Sequence, residues 1–298
     1  MQGLMQDVPL TINHIFDRAE KYHGHKEIIT STGTGLERTT YAEFARRTRQ
    51  LAGALDTLGI SADGRVATFA WNTARHLELY FAAPCTGRVL HTLNIRLFPE
   101  QLTYIVNHAD DEVIFVDRSI LALLAPLLPT FTNLRHLVLM DDGKGDIPED
   151  LAGHTLLNYE DLLAAEEPID FPEIADEHQA ASMCYTSGTT GNPKGVVYSH
   201  RSTFMHTMGA MMVDSLATCE SDVILPVVPM FHANAWGLAH AAVATGASLI
   251  MPGADLSGPA LADLIVEQRV TVAAGVPTIW MAVLPELKGR DTTSLRSI

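Results

Sequence analysis

Two rhythms of apolar positions alternate along the chain. Ile12, Ile15, Phe16 and Ala19 share one face of a predicted helix over Thr11 to Tyr22. Ile28 to Thr40 reads as a hairpin turning at Gly33 and Gly35. Thr40 and Glu43 have capping-box spacing, Phe44, Leu51, Leu55 and Leu58 continue at helical spacing, and Gly59 marks the end. Short apolar runs then follow as buried strands: Arg65 to Trp71, Val89 to Leu93, Glu112 to Val116 and Leu134 to Met140. Between them fall three helices. Asn72 is positioned to cap the first, which turns Leu77, Tyr80 and Phe81 inward and carries Pro84 late. Pro99 opens the second, with Leu102, Ile105 and Val106 on one face, and the third runs from Ile120 to Leu128. This β-α-β-α-β rhythm predicts a parallel sheet covered on both faces.

Asp110, Asp111 and Glu112 read as a solvated charge run, and Asp141 to Asp150 as a surface loop. Glu166 to Glu177, acidic with Pro168 and Pro172, reads as a connection between a first α/β subdomain, 1–175, and a second, 176–298. Beyond it the rhythm resumes: a strand over Ala180 to Tyr185 and a helix from Ser199 to Ala217 with Phe204, Met208, Met211 and Met212 as core packing. A strand over Asp222 to Val228, a turn over Phe231 to Gly237, a helix through Ala244 and a strand over Ala247 to Met251 follow. Leu261, Leu264, Ile265 and Gln268 mark another helix, Val270 to Ala274 a strand, and Pro277 a helix start. A second sheet is expected.

Composition narrows the partners. Among 298 residues the formal net charge is −15, which argues against nucleic acid and against charge-driven binding to anionic membranes. No run of about 18 apolar residues suggests a membrane-spanning helix. Met1 to Leu10 has no signal-peptide pattern. Cys85, Cys184 and Cys219 are few and odd in number, which fits free thiols in a reducing compartment, hence a cytoplasmic location. Cys184 lies in an apolar strand pattern and reads as core.

One stretch concentrates chemistry. Thr186, Ser187, Gly188, Thr189, Thr190, Gly191, Asn192, Pro193, Lys194 and Gly195 combine hydroxyls, glycines and one cation in a segment with little bulk. Free N–H groups in such a turn make an anion site, and Lys194 supplies a compact charge suited to polyphosphate. The order is neither that of a Walker A loop nor G-x-G-x-x-G. A plain solvent-exposed turn is the competing reading of a shorter match. In a second block, Pro229 to Gly237, Phe231, His232 and Trp236 taken singly read as core filling, yet together they sit where open α/β sheets bind ligands. In a third, Gly275 to Ile279, Val276, Pro277 and Thr278 read equally as a pocket wall or as a strand end before a helix. His-Glu-x-x-His, Cys-x-x-Cys and Gly-x-Ser-x-Gly patterns are absent, so a caged zinc or a serine hydrolase has no support.

Thr186 to Gly195 resembles the signature loop of the adenylate-forming (AMP-binding) superfamily. Pro229 to Gly237 is similar to the second core motif of its fatty acyl-CoA synthetase branch, and Gly275 to Ile279 to its acyl-pocket segment. From about Ile12 onward the chain resembles the first half of such an enzyme. The resemblance implies an α/β fold of two stacked, mostly parallel sheets with flanking helices, in an αβαβα arrangement, with the small C-terminal lid domain missing. It implies an acid–thiol ligase: a carboxylic acid, expected to be a medium- or long-chain fatty acid, is adenylated by ATP and passed to coenzyme A. A short thioether acid of the 3-(methylthio)propanoate type and a non-catalytic nucleotide- or acyl-binding fragment are the other readings. Lys194 and His232 are then the catalytic candidates. Thr186, Ser187, Gly188, Thr189, Thr190, Gly191, Lys194, Ala233 and Trp236 would meet ATP. His232, Asn234, Trp236, Val276, Pro277 and Thr278 would meet the acid, and Thr186 the Mg2+ that accompanies ATP. Ser294 to Ile298 resembles the start of a further strand, where the superfamily pattern continues with adenine, ribose, hinge and catalytic-lysine segments. The expectation is a truncated, inactive form with an exposed sheet edge, for which a homodimer is one open assembly.

Overall fold

The computed structural model describes residues 1, 3–186 and 192–298. Helix α1 (Ile12–His23) leads into the antiparallel hairpin β1 (Glu27–Ser31) and β2 (Leu36–Thr40). Thr40 accepts the Glu43 N–H and opens α2 (Tyr41–Thr57), while the Glu43 carboxylate turns to Arg46. Then come β3 (Arg65–Phe69), α3 (Ala74–Cys85), β4 (Val89–Thr92), α4 (Pro99–Ala109), β5 (Asp111–Asp117), α5 (Arg118–Leu124), a 3-10 turn (Ala125–Thr130), β6 (His136–Met140), β7 (Leu156–Asn158) and α6 (Tyr159–Ala164). The remainder holds β8 (Ala180–Thr186), β9 (Lys194–Ser199), α7 (His200–Met211), β10 (Val223–Pro226), a short turn (Ala233–Gly237), α8 (Leu238–Thr245), β11 (Ser248–Met251), α9 (Gly258–Glu267), β12 (Val272–Ala274) and α10 (Pro277–Glu286).

Among the described residues these strands form two sheets. A seven-stranded sheet has the order β7-β6-β5-β3-β4-β8-β9, parallel except for β8–β9. A five-stranded sheet has the order β12-β10-β11-β1-β2, parallel except for β1–β2. Strand alternation sorts apolar side chains between faces. In β5, Val113 and Phe115 join the core shared with the other sheet, whereas Ile114 and Val116 join the cluster under α4 and α5. In β11, Leu249 and Met251 face the shared core and Ile250 packs toward α9. The shared core is filled by α1, α2, α3, α6 and α8, giving the five-layer αβαβα architecture.

Four local expectations are corrected. The sheets do not divide at residue 175: β1 and β2 belong to the five-stranded sheet, and β8 and β9 extend the seven-stranded one. Thr73, not Asn72, caps α3, accepting the His76 N–H. Lys194 to Ser199 forms a strand, and the following helix ends at Met211 rather than at Ala217. Asp111 is not solvated. It is 1% exposed, and the buried His91 Nδ1 meets its carboxylate oxygens at 2.8 and 2.9 Å. Near the end of the chain, Ser297 makes an isolated parallel bridge to Val272.

Candidate active site

Residues 187–191, the centre of the expected phosphate loop, lie outside the described residues. Their flanks are defined. The β8–β9 hairpin sets Thr186 opposite Lys194 and Tyr185 opposite Gly195. Both Thr186 and Lys194 are exposed, and the Thr186 hydroxyl donates to the Lys194 carbonyl at 3.4 Å. The Tyr185 ring lies against Gly195, where a Cβ would stand 3.1 Å from Cζ, so the position has room for a hydrogen but little more. Tyr185 is itself braced: its hydroxyl hydrogen-bonds with His108 Nδ1 at 2.6 Å, and its ring packs 5.2 Å from that of His91. Burial, with the nearby Asp111 carboxylate, pushes the phenol up to about 12, so it stays protonated.

The second block follows the C-terminal end of β10 and takes an uncommon path. Ala233, Asn234, Ala235 and Trp236 have φ of 44, 48, 52 and 55°, and Gly237 continues at 76°. For each residue bearing a Cβ this left-handed conformation costs about 1–2 kcal/mol, so neighbours must hold it. They do so at three points. Asn72 Oδ1 accepts the Met230 N–H at 2.8 Å, its amide donates to the Pro226 and Val228 carbonyls at 2.8 and 3.0 Å, and the Tyr80 hydroxyl donates to the Met230 carbonyl. Asn234 donates to Ser182 Oγ at 2.8 Å and accepts from Cys184 Sγ at 2.6 Å. His206 Nε2 donates to the Trp236 carbonyl at 3.1 Å.

Between this turn and α7 lies a largely apolar cavity of about 370 Å³. Ala233, Asn234 and Trp236 line it from the turn, and Ser202, Thr203 and His206 from α7. Gly237, Tyr198 and His240 complete the lining; burial pushes the His240 imidazole down to about 4 and keeps it neutral. Larger clefts of about 460 and 390 Å³ lie away from the three motifs, and Arg47–Glu78 and Arg49–Glu20, in or beside them, are already paired with each other.

The third block lies beside the second, because β12 and β10 are neighbours. The N–H groups of Val227 and Val228 both reach the Ala274 carbonyl, at 2.8 and 2.7 Å. Pro277 is the first residue of α10, as its fixed φ favours. His232, Val276, Pro277 and Thr278 are exposed and do not line the cavity, although Ala233, Asn234 and Trp236 do. The sequence marked Asn72 only as a helix cap and Tyr80 only as inward packing, and gave Ser182, His206 and His240 no part in this site. The i, i+4 spacing of Ser202 and His206 on α7 was the available signal for one wall of the cavity. Among the described residues no group of three or more His, Cys, Asp or Glu could hold a metal, and Thr186 offers one exposed hydroxyl.

The second block is thus hydrogen-bonded to the strand that leads into the first and lies beside the third, and relatives agree on what kind of protein this is. A 3-methylmercaptopropionyl-CoA ligase from Ruegeria pomeroyi is 44% identical over 98% of this chain and 54% of its own length. A medium-chain-fatty-acid–CoA ligase from Ectopseudomonas oleovorans is 42% identical over 99% of this chain and 54% of its own. A long-chain-fatty-acid–CoA ligase from Thermus thermophilus is 44% identical over 99% of this chain and 53% of its own. The chain spans about half the length of these curated relatives. The anthranilate CoA ligase AuaEII, solved with anthranoyl-AMP, shares the fold with a TM-score of 0.83 at 24% identity, covering 99% of this chain and 56% of that one. The match to the AMP-binding enzyme family runs over residues 15–298, and the chain belongs to that family.

Proposed function

We propose that this chain supplies the phosphate-binding hairpin and the acid-binding turn of an ATP-dependent acyl-CoA ligase. The observation that carries the reading is the junction of the two: the strand that ends at Thr186 is hydrogen-bonded through Asn234 to the turn that borders the 370 Å³ cavity. In the reaction a carboxylate oxygen bonds to the α-phosphorus of ATP as the bond to the bridging oxygen breaks, giving acyl-AMP and pyrophosphate. The thiol of coenzyme A then attacks the acyl carbon and AMP departs. Such chemistry needs positioning and charge stabilisation more than a protein nucleophile. Lys194, with the Ser187, Gly188, Thr189, Thr190 and Gly191 segment, holds the β- and γ-phosphates as charge gathers on the leaving group. The Thr186 hydroxyl is available to Mg2+, which when bound neutralises phosphate charge. Ala233 and Trp236 border nucleotide and acid, His232 stands between the two, and Val276, Pro277 and Thr278 form an outer wall.

The acid is a medium- or long-chain fatty acid in the leading reading. The hydroxyls of Ser202 and Thr203 and the His206 imidazole on the cavity wall favour a second one, a short thioether acid of the 3-(methylthio)propanoate type. In this reading the cytoplasm is its compartment, and a homodimer its assembly. Acid-dependent exchange of radiolabelled pyrophosphate into ATP, run with octanoate, palmitate and 3-(methylthio)propanoate, tests the activity in a full-length polypeptide containing this chain. Exchange with none of them, alongside intact ATP binding, would leave a non-catalytic binding module.

A further inference from the structure

We propose that His240 is a specificity-determining residue whose imidazole hydrogen-bonds a hydroxyl at the far end of the acyl chain, so that the preferred acid is a hydroxylated one; this rests on the function proposed above. His240 stands on the first turn of α8 and is 2% exposed, and the surface it keeps faces the 370 Å³ cavity. Its ring is held by packing, with the ring centroids of Tyr80 and Phe81 at 5.6 and 5.4 Å. Neither ring nitrogen has a hydrogen-bond partner among the described residues. Nor is either one fully enclosed, as the unpartnered His91 Nε2 and His200 Nε2 are. The hydrogen-bonding capacity of the ring therefore opens on the cavity.

The other polar groups of the lining are differently placed. Asn234 spends both ends of its amide on Ser182 and Cys184, and His206 Nε2 is spent on the Trp236 carbonyl. Ser202 Oγ donates to the Ser199 carbonyl at 3.0 Å. Ser202 and His206 are also exposed, on the outer side, whereas His240 backs onto Tyr80 and Phe81 of the shared core. An alkyl end reaching that depth would strip water from the imidazole and leave it unpartnered, which incurs the desolvation cost of a buried polar group. A hydroxyl both donates and accepts, so it suits the ring in either tautomer. Burial keeps the imidazole neutral, pushed down to about 4, so no cation awaits a second carboxylate there. The inner end thus suits an alcohol rather than a diacid, and the apolar remainder of the cavity suits the methylenes between. A site that hydrogen-bonds a substrate hydroxyl rejects the analogue lacking it far more strongly than an apolar pocket sorts chain lengths.

The test is calorimetric binding of straight-chain acids of six, eight and ten carbons, each with and without an ω-hydroxyl, to the purified protein. At the length that spans the cavity the hydroxy acid should bind about tenfold tighter than its parent, the scale of one buried hydrogen bond made rather than left unmade. Suberate, the eight-carbon diacid, should bind no better than octanoate. In His240→Phe, which keeps a ring against Tyr80 and Phe81, the ratio should fall toward one. In His240→Gln, whose amide donates and accepts, part of the preference should return. The ratio in the unsubstituted protein reads the substrate class even where a variant fails to fold. Plain acids bound with no hydroxy acid preferred at any length, suberate bound as tightly as 8-hydroxyoctanoate, or a preference unchanged in His240→Phe overturns the inference and leaves the site reading intact. So does an equal loss of both acids in that variant with the ratio kept, the mark of a merely structural ring. Binding of none of these acids overturns the site reading and the inference with it.

Discussion

Asn72 Oδ1 accepts the Met230 N–H at 2.8 Å across 158 positions of the chain. The same side chain donates to Pro226 and Val228, so one buried amide ties the end of β3 to the segment that opens the second motif. Asn72→Leu keeps the branched shape of the side chain and orphans three backbone groups. An orphaned buried group costs roughly 1–3 kcal/mol, so a loss of about 3 kcal/mol or more is expected. Urea denaturation would show a lower midpoint with an unchanged slope. A midpoint within about 0.5 kcal/mol of the parent, the range of ordinary surface changes, would remove Asn72 from this role.

Gly237 sits at φ 76°, and a Cβ there would overlap the His206 imidazole that hydrogen-bonds the Trp236 carbonyl. Gly237→Ala should therefore destabilise through both strain and steric overlap. Pairing it with His206→Ala removes the overlap but not the strain. The double variant should be more stable than additivity predicts, by about 1–2 kcal/mol. Thermal unfolding of the four proteins of the cycle measures this, and strict additivity would mean that the ring and the glycine do not meet.

Asp117 behaves unlike an ordinary surface carboxylate. Burial pushes it up to about 7 from 3.8, outweighing the Trp71 N–H that its carboxylate accepts; Asp142 adds to the rise and Arg75 opposes it. Between these values the native protein holds a proton that the unfolded chain has released. The contribution of Asp117 is thus fully present below about pH 4, is lost as pH rises through about 7, and is constant above. Asp117→Asn removes this dependence. The stability of the parent relative to the variant should fall by about 1.4 kcal/mol per pH unit across that window. Parallel stability curves would exclude the buried, protonated carboxyl.

Thr203 faces the cavity beside His206 and opposite Trp236. Thr203→Trp should fill much of the space. Dodecanoate binding is expected to weaken at least about tenfold, while butanoate changes little, because lost methylene contacts are worth about 1–3 kcal/mol each in a closed pocket. Calorimetry with both acids checks it, and equal effects on the two would place the acyl chain elsewhere.

Much of this was legible in the sequence, for physical reasons. The period of apolar residues marked most of the sheet strands and every helix of the shared core except α6, and glycines, prolines and hydroxyls marked the three blocks. What local pattern does not carry is pairing between distant segments. That is why β1 and β2 were not assigned to the five-stranded sheet, nor β8 to the seven-stranded one. Asn72 has the chemistry of a cap, but Thr73 is one residue nearer the helix and takes that role, freeing the amide for Met230. Asp111 looks solvated among acidic neighbours, and only the fold brings His91 to it. The left-handed turn is invisible because Ala233, Ala235 and Trp236 carry none of the usual signals for positive φ; its buried partners impose it.

The most direct measurement concerns Lys194, exposed at the mouth of the hairpin. Calorimetric titration of the parent and Lys194→Ala with MgATP and with AMP separates a grip on the β- and γ-phosphates from general nucleotide binding. Lys194→Ala is expected to weaken ATP by at least about tenfold, the scale of one charge-assisted hydrogen bond, and to leave AMP within about twofold. Equal ATP affinity in the two proteins, or an equal loss for ATP and AMP, would contradict a polyphosphate site at this hairpin.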